Sequence, residues 1–208
     1  TIMENRGVED YKTYMNLDDS CLNSPWELDN MEDAVRLLNK HIWNKSIISI
    51  LVDCDVDGFT SASMMFQYLK TIGYFGKINV LHHSGKEHGL SKEIEVPSET
   101  TFLIIPDAGS NDVEQCKELR EKGIDILILD HHICDRKNPY AVIVNNILIR
   151  NCLALAWCIS FFRLLMNIIG LMLQTGILIW WQSETSVTLW ICTRMRQSAF
   201  ARKVWHEL

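Results

Sequence analysis

The sequence predicts an α/β fold in which helices flank a parallel sheet, over residues 31–146. Two observations support this prediction. Short, almost entirely apolar strand candidates alternate with amphipathic helical segments, which is the pattern of a parallel sheet buried on both faces. Three of the strand candidates end in Asp or in Asp-His-His, and α/β sheets bind their ligands beyond the carboxyl ends of the strands.

The composition divides the chain into two unlike parts. Of the 208 residues, 48% are hydrophobic and 22% are charged, which excludes a disordered protein. Residues 1–146 hold 24 acidic and 14 basic residues, whereas residues 147–208 hold 2 and 6, so net charges of −10 and +4 make up the total of −6. An acidic body argues against binding nucleic acid by bulk charge alone. The seven cysteines form no CxxC pair, and their odd number fits the reducing cytoplasm.

The predicted elements follow a polar, irregular segment over residues 1–30. Apolar residues at helical spacing predict a helix over Met31–Trp43, and the apolar run Ile47–Val52 predicts the first strand. We expect Thr60 or Ser61 to cap the next helix. The remaining elements, in chain order, are expected to be strands Ile78–Leu81 and Thr101–Ile105, helix Asp112–Lys122, and strands Ile124–Leu129 and Ala141–Val144.

Acidic and imidazole side chains gather at the ends of these strands. They are Asp53, Asp55 and Asp57 after the first strand, Asp107 after the third, and Asp130, His131 and His132 after the fourth. Carboxylate and imidazole ligands together suit Mn²⁺, and Mg²⁺ where carboxylates dominate, and no thiolate is expected in the cluster. A bridging Asp107 would complete a centre of two metal ions, which activates a water and clamps a phosphoryl group. Either motif alone is equally compatible with a solvated turn; their combination favours the metal centre.

The segments that carry these side chains resemble the first three motifs of the DHH phosphoesterases. The matching stretches are DCDVDGFTS at 53–61, PDAG at 106–109 and LDHH at 129–132. Three further stretches are similar to the RecJ-type single-strand-specific DNA exonucleases of that family, namely NRGV at 5–8, PWELDNMEDAV at 25–35 and HGLS at 88–91. The resemblance runs in collinear order over residues 2–146.

This resemblance implies a set of site residues and an activity. It implies that two Mn²⁺ or Mg²⁺ ions are held by Asp55, Asp57, Asp107 and His131, and that His132 contacts the scissile phosphate with Asp53 and Asp130 close by. The implied substrate is single-stranded DNA, degraded from its 5′ end. The implied setting is cytoplasmic DNA repair or recombination, with single-strand-binding protein or a helicase as partner and no membrane.

Two positions depart from the family pattern. Leu51 stands where many relatives carry a metal-binding histidine, so one metal is expected to rely on Asp53 or to bind weakly. Pro106 stands where a β-branched residue is usual, and we expect it to be tolerated. We expect His82 and His83 to end a strand on a polar loop rather than to form a second metal site. The segment 86–91 is expected to be a mobile loop beside the substrate.

The apolar tail over residues 147–208 does not continue the resemblance. It has no aspartate where a fourth metal-binding aspartate is expected, and its segment Leu164–Trp181 has 18 residues without charge, so a membrane anchor is one alternative. A shift of the reading frame explains the tail better than a membrane anchor does. In the shifted frame, each new codon takes the last base of one original codon and the first two bases of the next. In that frame, codons compatible with residues 151–170 can encode LSGVGMVYKFLQAIDEYYW. Codons compatible with residues 171–193 can encode VDVADRYFDLVAVGNISDSMDMH. We therefore expect the tail to be translated out of frame.

Three functions stay open from the sequence. The first is a RecJ-like 5′-3′ exonuclease. The second is a DHH phosphoesterase for short oligonucleotides, cyclic dinucleotides or polyphosphate, and the third is an inactive or membrane-tethered remnant. Because the fourth motif is absent and Leu51 cannot coordinate a metal, we expect the chain in this form to be defective and nearly inactive.

Overall fold

A computed structural model of the chain describes residues 25–145. A 3₁₀ turn, Pro25–Glu27, precedes the first helix. The helices are α1 (Met31–Trp43), α2 (Val56–Thr71) and α3 (Val113–Glu121), and the strands are β1 (Ile48–Val52), β2 (Ile78–His82), β3 (Phe102–Pro106), β4 (Asp125–Leu129) and β5 (Val142–Val144). The predicted elements are therefore all present, with ends that differ by a few residues.

The five strands form one parallel sheet in the order β2-β1-β3-β4-β5. This confirms the predicted fold class. Strands β1 and β3 lie inside the sheet and are buried along their whole length. Because all strands run in the same direction, their carboxyl ends meet at one edge. Asp53, Asp107 and Asp130 each follow a strand directly at this edge.

Helices cover both faces of the sheet. Phe102 and Leu103 are successive residues of β3, so their side chains point to opposite faces. Leu103 belongs to an apolar cluster that includes Cys116 and Leu119 of α3. The Phe102 ring stacks on the imidazole of His41 in α1, with 4.1 Å between ring centroids. Burial on both faces is the reason that the strands read as uninterrupted apolar runs.

Helix α2 begins at Val56, so the expectation that Thr60 or Ser61 caps it is wrong. Asp55 is the N-cap residue, and its Oδ1 accepts a hydrogen bond of 2.9 Å from the backbone N–H of Gly58. The hydroxyls of Thr60 and Ser61 instead donate to backbone carbonyls one turn earlier, at 2.8 Å each. Aspartate satisfies a free helical N–H as well as serine or threonine does. The cap thereby fixes the Asp55 carboxylate at the start of the helix.

None of the helices within residues 25–145 combines the length and the apolar character that a membrane span needs. The segment Leu164–Trp181 and the rest of the tail expected to be out of frame lie outside the described residues. The same holds for the polar segment before residue 25.

Candidate metal centre

Asp107 lies at the middle of the carboxyl edge of the sheet. Its backbone N–H donates a hydrogen bond of 2.7 Å to the carbonyl of Leu129, which ties the end of β3 to the end of β4. The residue adopts a left-handed conformation with φ of 76°. Aspartate is among the few non-glycine residues that enter this region readily. This backbone geometry holds the Asp107 side chain in the interior, where it is 0% exposed.

The Asp107 carboxylate is buried without a well-aligned hydrogen-bond donor among the described residues. Within residues 25–145, no hydrogen-bond donor reaches either of its oxygens in suitable geometry. Burial, followed by the negative charges of Asp57 and Asp55, raises the pKa of Asp107 from 3.8 to about 9. A buried carboxylate among other carboxylates is stabilised in its charged form by a cation. The residues present therefore fit a divalent metal ion at this position.

His131 completes the group around Asp107. Its Nε2 lies 3.2 Å from Asp107 Oδ1 and 3.9 Å from Asp57 Oδ2. Among the described residues, three sets of three have potential ligand atoms that all lie within 4.8 Å of one another, and two of these sets contain Asp107: Asp53 with Asp55 and Asp107, and Asp107 with His131 and His132. Asp107 is common to both sets. The structure thus brings together the four residues expected to hold metal.

Asp130 is a buried acceptor that organises the end of β4. Its Oδ1 accepts from the backbone N–H groups of His131 and His132 at 2.7 and 3.0 Å, and from the His132 ring at 2.8 Å. Its Oδ2 accepts from the N–H of Ser110 at 3.1 Å. Burial alone would raise the pKa of Asp130, but the hydrogen bonds from His132 and Ser110 outweigh burial and hold that pKa well below its usual range. Asp130 is therefore ionised and fully occupied by donors.

The same contact makes His132 a cation. The hydrogen bond to Asp130 is the main reason that the pKa of His132 rises to about 9. The Nδ1–H faces Asp130, and the side chain remains 53% exposed. At neutral pH an exposed, positively charged imidazole at the strand edge can hold an anionic group such as a phosphate.

Asp53, unlike Asp107, is buried with a hydrogen-bond donor at each carboxylate oxygen. Its side chain is 1% exposed, and its two oxygens accept hydrogen bonds from His88 Nδ1 at 2.6 Å and from the N–H of Gly89 at 3.0 Å. The next residue, Leu90, donates its N–H to Asp112 at 2.7 Å. The segment expected to be a mobile loop is thus held by two hydrogen bonds to Asp53 and by a third to Asp112, which precedes α3. Leu51 is buried in the apolar cluster on one face of the sheet and offers no ligand there.

The structure places His82 at the end of β2 and His83 in the loop that follows, as expected. His82 ends β2 and is exposed, but the His83 side chain is only 1% exposed, and neither ring nitrogen has a hydrogen-bond partner among residues 25–145. Cys54 Sγ lies outside the two sets that contain Asp107, at 3.4 Å from His88 Nε2. Cys54 lies in the stretch DCDVDGFTS and His88 in the stretch HGLS, but nothing in a linear sequence shows that the two residues meet.

Comparison with known proteins supports the same assignment. The N-terminal domain model of the DHH family matches residues 47–174, which is more than half of the chain. The SPbeta prophage-derived protein YorK of Bacillus subtilis, assigned as a single-strand DNA-specific exonuclease, is 39% identical over 146 residues, covering 70% of this chain and 25% of YorK. The exonuclease RecJ of Haemophilus influenzae is 32% identical over 132 residues, covering 61% of this chain and 23% of RecJ. The chain thus spans about a quarter of the length of these relatives.

Solved structures share the fold. RecJ from Thermus thermophilus in complex with Mn²⁺ superposes with a TM-score of 0.61 at 18% identity, covering 81% of this chain and 25% of that one. Exonuclease RecJ bound to manganese gives a TM-score of 0.56 at 19% identity, covering 69% of this chain and 39% of the other. At such identities the likeness concerns the fold. Together with the match over residues 47–174, it shows that the chain belongs to the DHH family.

Proposed function

We propose that this chain contains the metal-binding part of the active site of a metal-dependent phosphodiesterase. Asp55, Asp57, Asp107 and His131 would hold the metal ions. The observation that carries the proposal is the buried Asp107 carboxylate, which has no hydrogen-bond donor within residues 25–145 and lies among further carboxylates. A structural aspartate in the interior would be paired or hydrogen-bonded. Asp107 instead faces other carboxylates and the His131 imidazole, whose Nε2 lies 3.2 Å from its Oδ1, and such a group of ligand atoms is suited to a cation.

Two ions, Mn²⁺ or Mg²⁺, fit the arrangement best. Asp107 belongs to both sets of potential ligands, so it is placed to bridge two ions. Oxygen and imidazole ligands are those that Mn²⁺ accepts, and carboxylates suit Mg²⁺. When bound, the ions would supply the activation of a water and the neutralisation of phosphate charge. The known structures that share the fold include RecJ with Mn²⁺ and RecJ with Mg²⁺.

The residues of the DHH motif have separate tasks in this proposal. His131 faces Asp107 and Asp57 with its Nε2, which would be the nitrogen that holds metal. His132 keeps its proton because Asp130 accepts from Nδ1, and the resulting positive charge holds and orients the scissile phosphate. Asp130 contacts neither metal nor substrate, and instead positions both histidines through their backbone N–H groups.

The proposed substrate is single-stranded DNA, hydrolysed from the 5′ end. Support for the substrate comes from the relatives, which are named as single-strand DNA-specific exonucleases. Polarity, a cytoplasmic role in repair or recombination, and a single-strand-binding protein or helicase as partner stay predictions. The domain limits also stay proposals: a polar segment over 1–30, the DHH domain over 31–146, and an out-of-frame tail over 147–208.

A single assay separates this proposal from its alternatives. Single-stranded DNA labelled at either end, the matching duplex and a dinucleotide are incubated with Mn²⁺, with Mg²⁺ or with a chelator. The enzymes are the 208-residue chain and a version with the shifted frame restored. We expect the restored chain to release nucleotides from the 5′ end of single strands with Mn²⁺, and the 208-residue chain to be nearly inactive.

The matched variants are Asp107→Asn in the site and Asp33→Asn on the exposed part of α1. We expect Asp107→Asn to abolish hydrolysis and Asp33→Asn to leave it unchanged, because the Asp33 side chain is 61% exposed and its ion pair in the structure is with Arg36 of the same helix. Faster hydrolysis of the dinucleotide than of DNA would favour a phosphoesterase for short oligonucleotides. Absence of hydrolysis by both chains would favour an inactive remnant, and equal activity of both would contradict the account of the tail.

A further inference from the structure

A second group of metal-ligating side chains lies beside the first and is chemically different. It consists of Asp53, Cys54 and His88, whose potential ligand atoms all lie within 4.8 Å of one another. Asp53 Oδ2 lies 2.6 Å from His88 Nδ1, and Cys54 Sγ lies 3.4 Å from His88 Nε2. Cys54 and His88 are 34 positions apart in the sequence, so the fold alone brings them together.

The contact with Asp53 decides which nitrogen of His88 is available. An ionised carboxylate only accepts hydrogen bonds, so Nδ1 must donate its proton to Asp53. The lone pair of a neutral His88 ring then lies on Nε2, which is 3.4 Å from the Cys54 sulfur, against 3.7 Å for Nδ1. Because the sulfur is nearly as close to Nδ1, it lies beside the ring, and the Cys54 side chain must rotate for both atoms to bind one ion. A histidine that donates one N–H to a carboxylate and offers the other nitrogen is the usual arrangement around protein-bound zinc.

The separation of these two atoms fits joint coordination of one cation. Tetrahedral zinc with a Zn–N distance of about 2.0 Å and a Zn–S distance of about 2.3 Å separates the two ligand atoms by roughly 3.5 Å. The observed separation of Cys54 Sγ and His88 Nε2 is 3.4 Å. Nitrogen and thiolate sulfur together favour borderline-soft ions such as Zn²⁺ over Mg²⁺ and Mn²⁺.

His83 gives an independent indication that a polar species belongs beside Asp53. Its imidazole is 1% exposed, and within the described part of the chain neither ring nitrogen has a hydrogen-bond partner. Its Nε2 lies 3.9 Å from Asp53 Oδ1, which is too far for a direct hydrogen bond. Buried polar groups in proteins are almost always satisfied. His83 Nδ1 lies equally far, 3.9 Å, from Glu87 Oε2. The ring therefore lies between two carboxylates without a direct hydrogen bond to either.

We propose that Cys54 Sγ and His88 Nε2 bind a borderline-soft divalent cation of the Zn²⁺ class, with Asp53 orienting His88. On binding, the Cys54 thiol releases its proton to solvent, and the thiolate sulfur donates an electron pair to the cation. The remaining coordination positions are filled by water, and the His88 side chain, 59% exposed, leaves a path for the ion to enter. The two ligands, Cys54 and His88, are not among the residues assigned to the ions at Asp107, although Asp53 lies within reach of both groups. Binding of this cation does not depend on nuclease activity.

Binding of Co²⁺ to the full 208-residue chain tests the site directly. Cobalt bound to a thiolate gives a near-ultraviolet charge-transfer band that oxygen and nitrogen ligands do not give. We expect this band in the parent chain and its displacement by Zn²⁺. The Cys54→Ser variant should lack the band, His88→Gln should bind Co²⁺ at least about tenfold more weakly, and the control Cys134→Ser should match the parent. Cys134 is a suitable control because it is partly buried and its sulfur contacts backbone carbonyls in the structure.

Absence of the band in the parent, its survival in Cys54→Ser, or unchanged affinity in His88→Gln would overturn the proposal. Protection of Cys54 from alkylation by iodoacetamide, read by peptide mass spectrometry, decides the question even if a variant does not fold. Zn²⁺ should slow labelling of Cys54 at least about tenfold and leave Cys134 unchanged, whereas Mg²⁺ should protect neither. Lack of protection by Zn²⁺ would leave only a thiol–imidazole hydrogen bond, and equal protection by Mg²⁺ would refute the assigned ion class.

Discussion

Replacement of Asp107 by asparagine is expected to stabilise the metal-free protein while it removes the response to metal. Burial and the neighbouring charges of Asp57 and Asp55 raise the pKa of Asp107 from 3.8 to about 9. Asparagine keeps the shape of the side chain, carries no charge, and accepts the left-handed backbone at this position as readily as aspartate. The substitution therefore removes an electrostatic penalty without introducing strain.

The sign and size of the effect follow from proton linkage. Between pH 3.8 and pH 9 the unfolded chain releases the Asp107 proton while the folded protein retains it, so stability falls as the pH rises through this range. At about 1.4 kcal/mol per pH unit, the cost at pH 7 reaches ~4 kcal/mol as an upper limit, and relaxation of the site reduces it to the order of 2–4 kcal/mol. The substituted amide does not titrate, so the stability advantage of Asp107→Asn should shrink to below about 1 kcal/mol at pH 4.

Urea denaturation in chelator, at pH 7 and at pH 4, measures this difference. The control is Asp53→Asn, which changes an equally buried carboxylate that accepts from His88 and Gly89, and should destabilise the protein by about 1–3 kcal/mol. Addition of Mn²⁺ should raise the stability of the parent by mass action and leave Asp107→Asn nearly unchanged. If Asp107→Asn is less stable than the parent in chelator at pH 7, the carboxylate is not electrostatically penalised and the reasoning fails.

Three further outcomes follow from other contacts. Burial, with the charges of Lys40 and Arg120, lowers the pKa of His41 from 6.5 to about 4, so the unfolded chain binds more protons in this range. Stability should therefore fall as the pH drops from 6.5 to 4, by at most about 1.4 kcal/mol per pH unit, and His41→Gln should remove this dependence in urea titrations. Asp130→Asn should return the pKa of His132 from about 9 towards 6.5 in an NMR titration, since the hydrogen bond to Asp130 is its main cause; an unchanged value would refute that cause. Gly58→Ala would place a Cβ 2.5 Å from Asp53 Cβ and 2.8 Å from the Asp53 carbonyl oxygen. The substitution should therefore destabilise the protein by about 1–3 kcal/mol. A stability equal to that of the parent in calorimetry would disprove this close contact.

The sequence by itself determined the sheet and the edge at which the site lies. Apolar runs such as Ile48–Val52 and Phe102–Pro106 are buried on both faces, so their composition alone distinguishes them from the amphipathic helices between them. A parallel sheet then places every residue that follows a strand at the same edge. For this reason Asp107 and His131 could be assigned to one site before their 3.2 Å contact was known.

The tertiary structure decided which side chains pair at that edge. Asp55 and Asp53 stand two positions apart in one motif, yet Asp55 caps α2 whereas Asp53 accepts hydrogen bonds from His88 and Gly89. The path of the chain between β2 and β3 brings His83 and His88 to Asp53, and no periodicity encodes such a path. The pKa of Asp107 likewise depends on burial and on distances to other carboxylates. Strand order and periodicity are local properties of a sequence, but desolvation and side-chain contacts arise only when distant segments pack together.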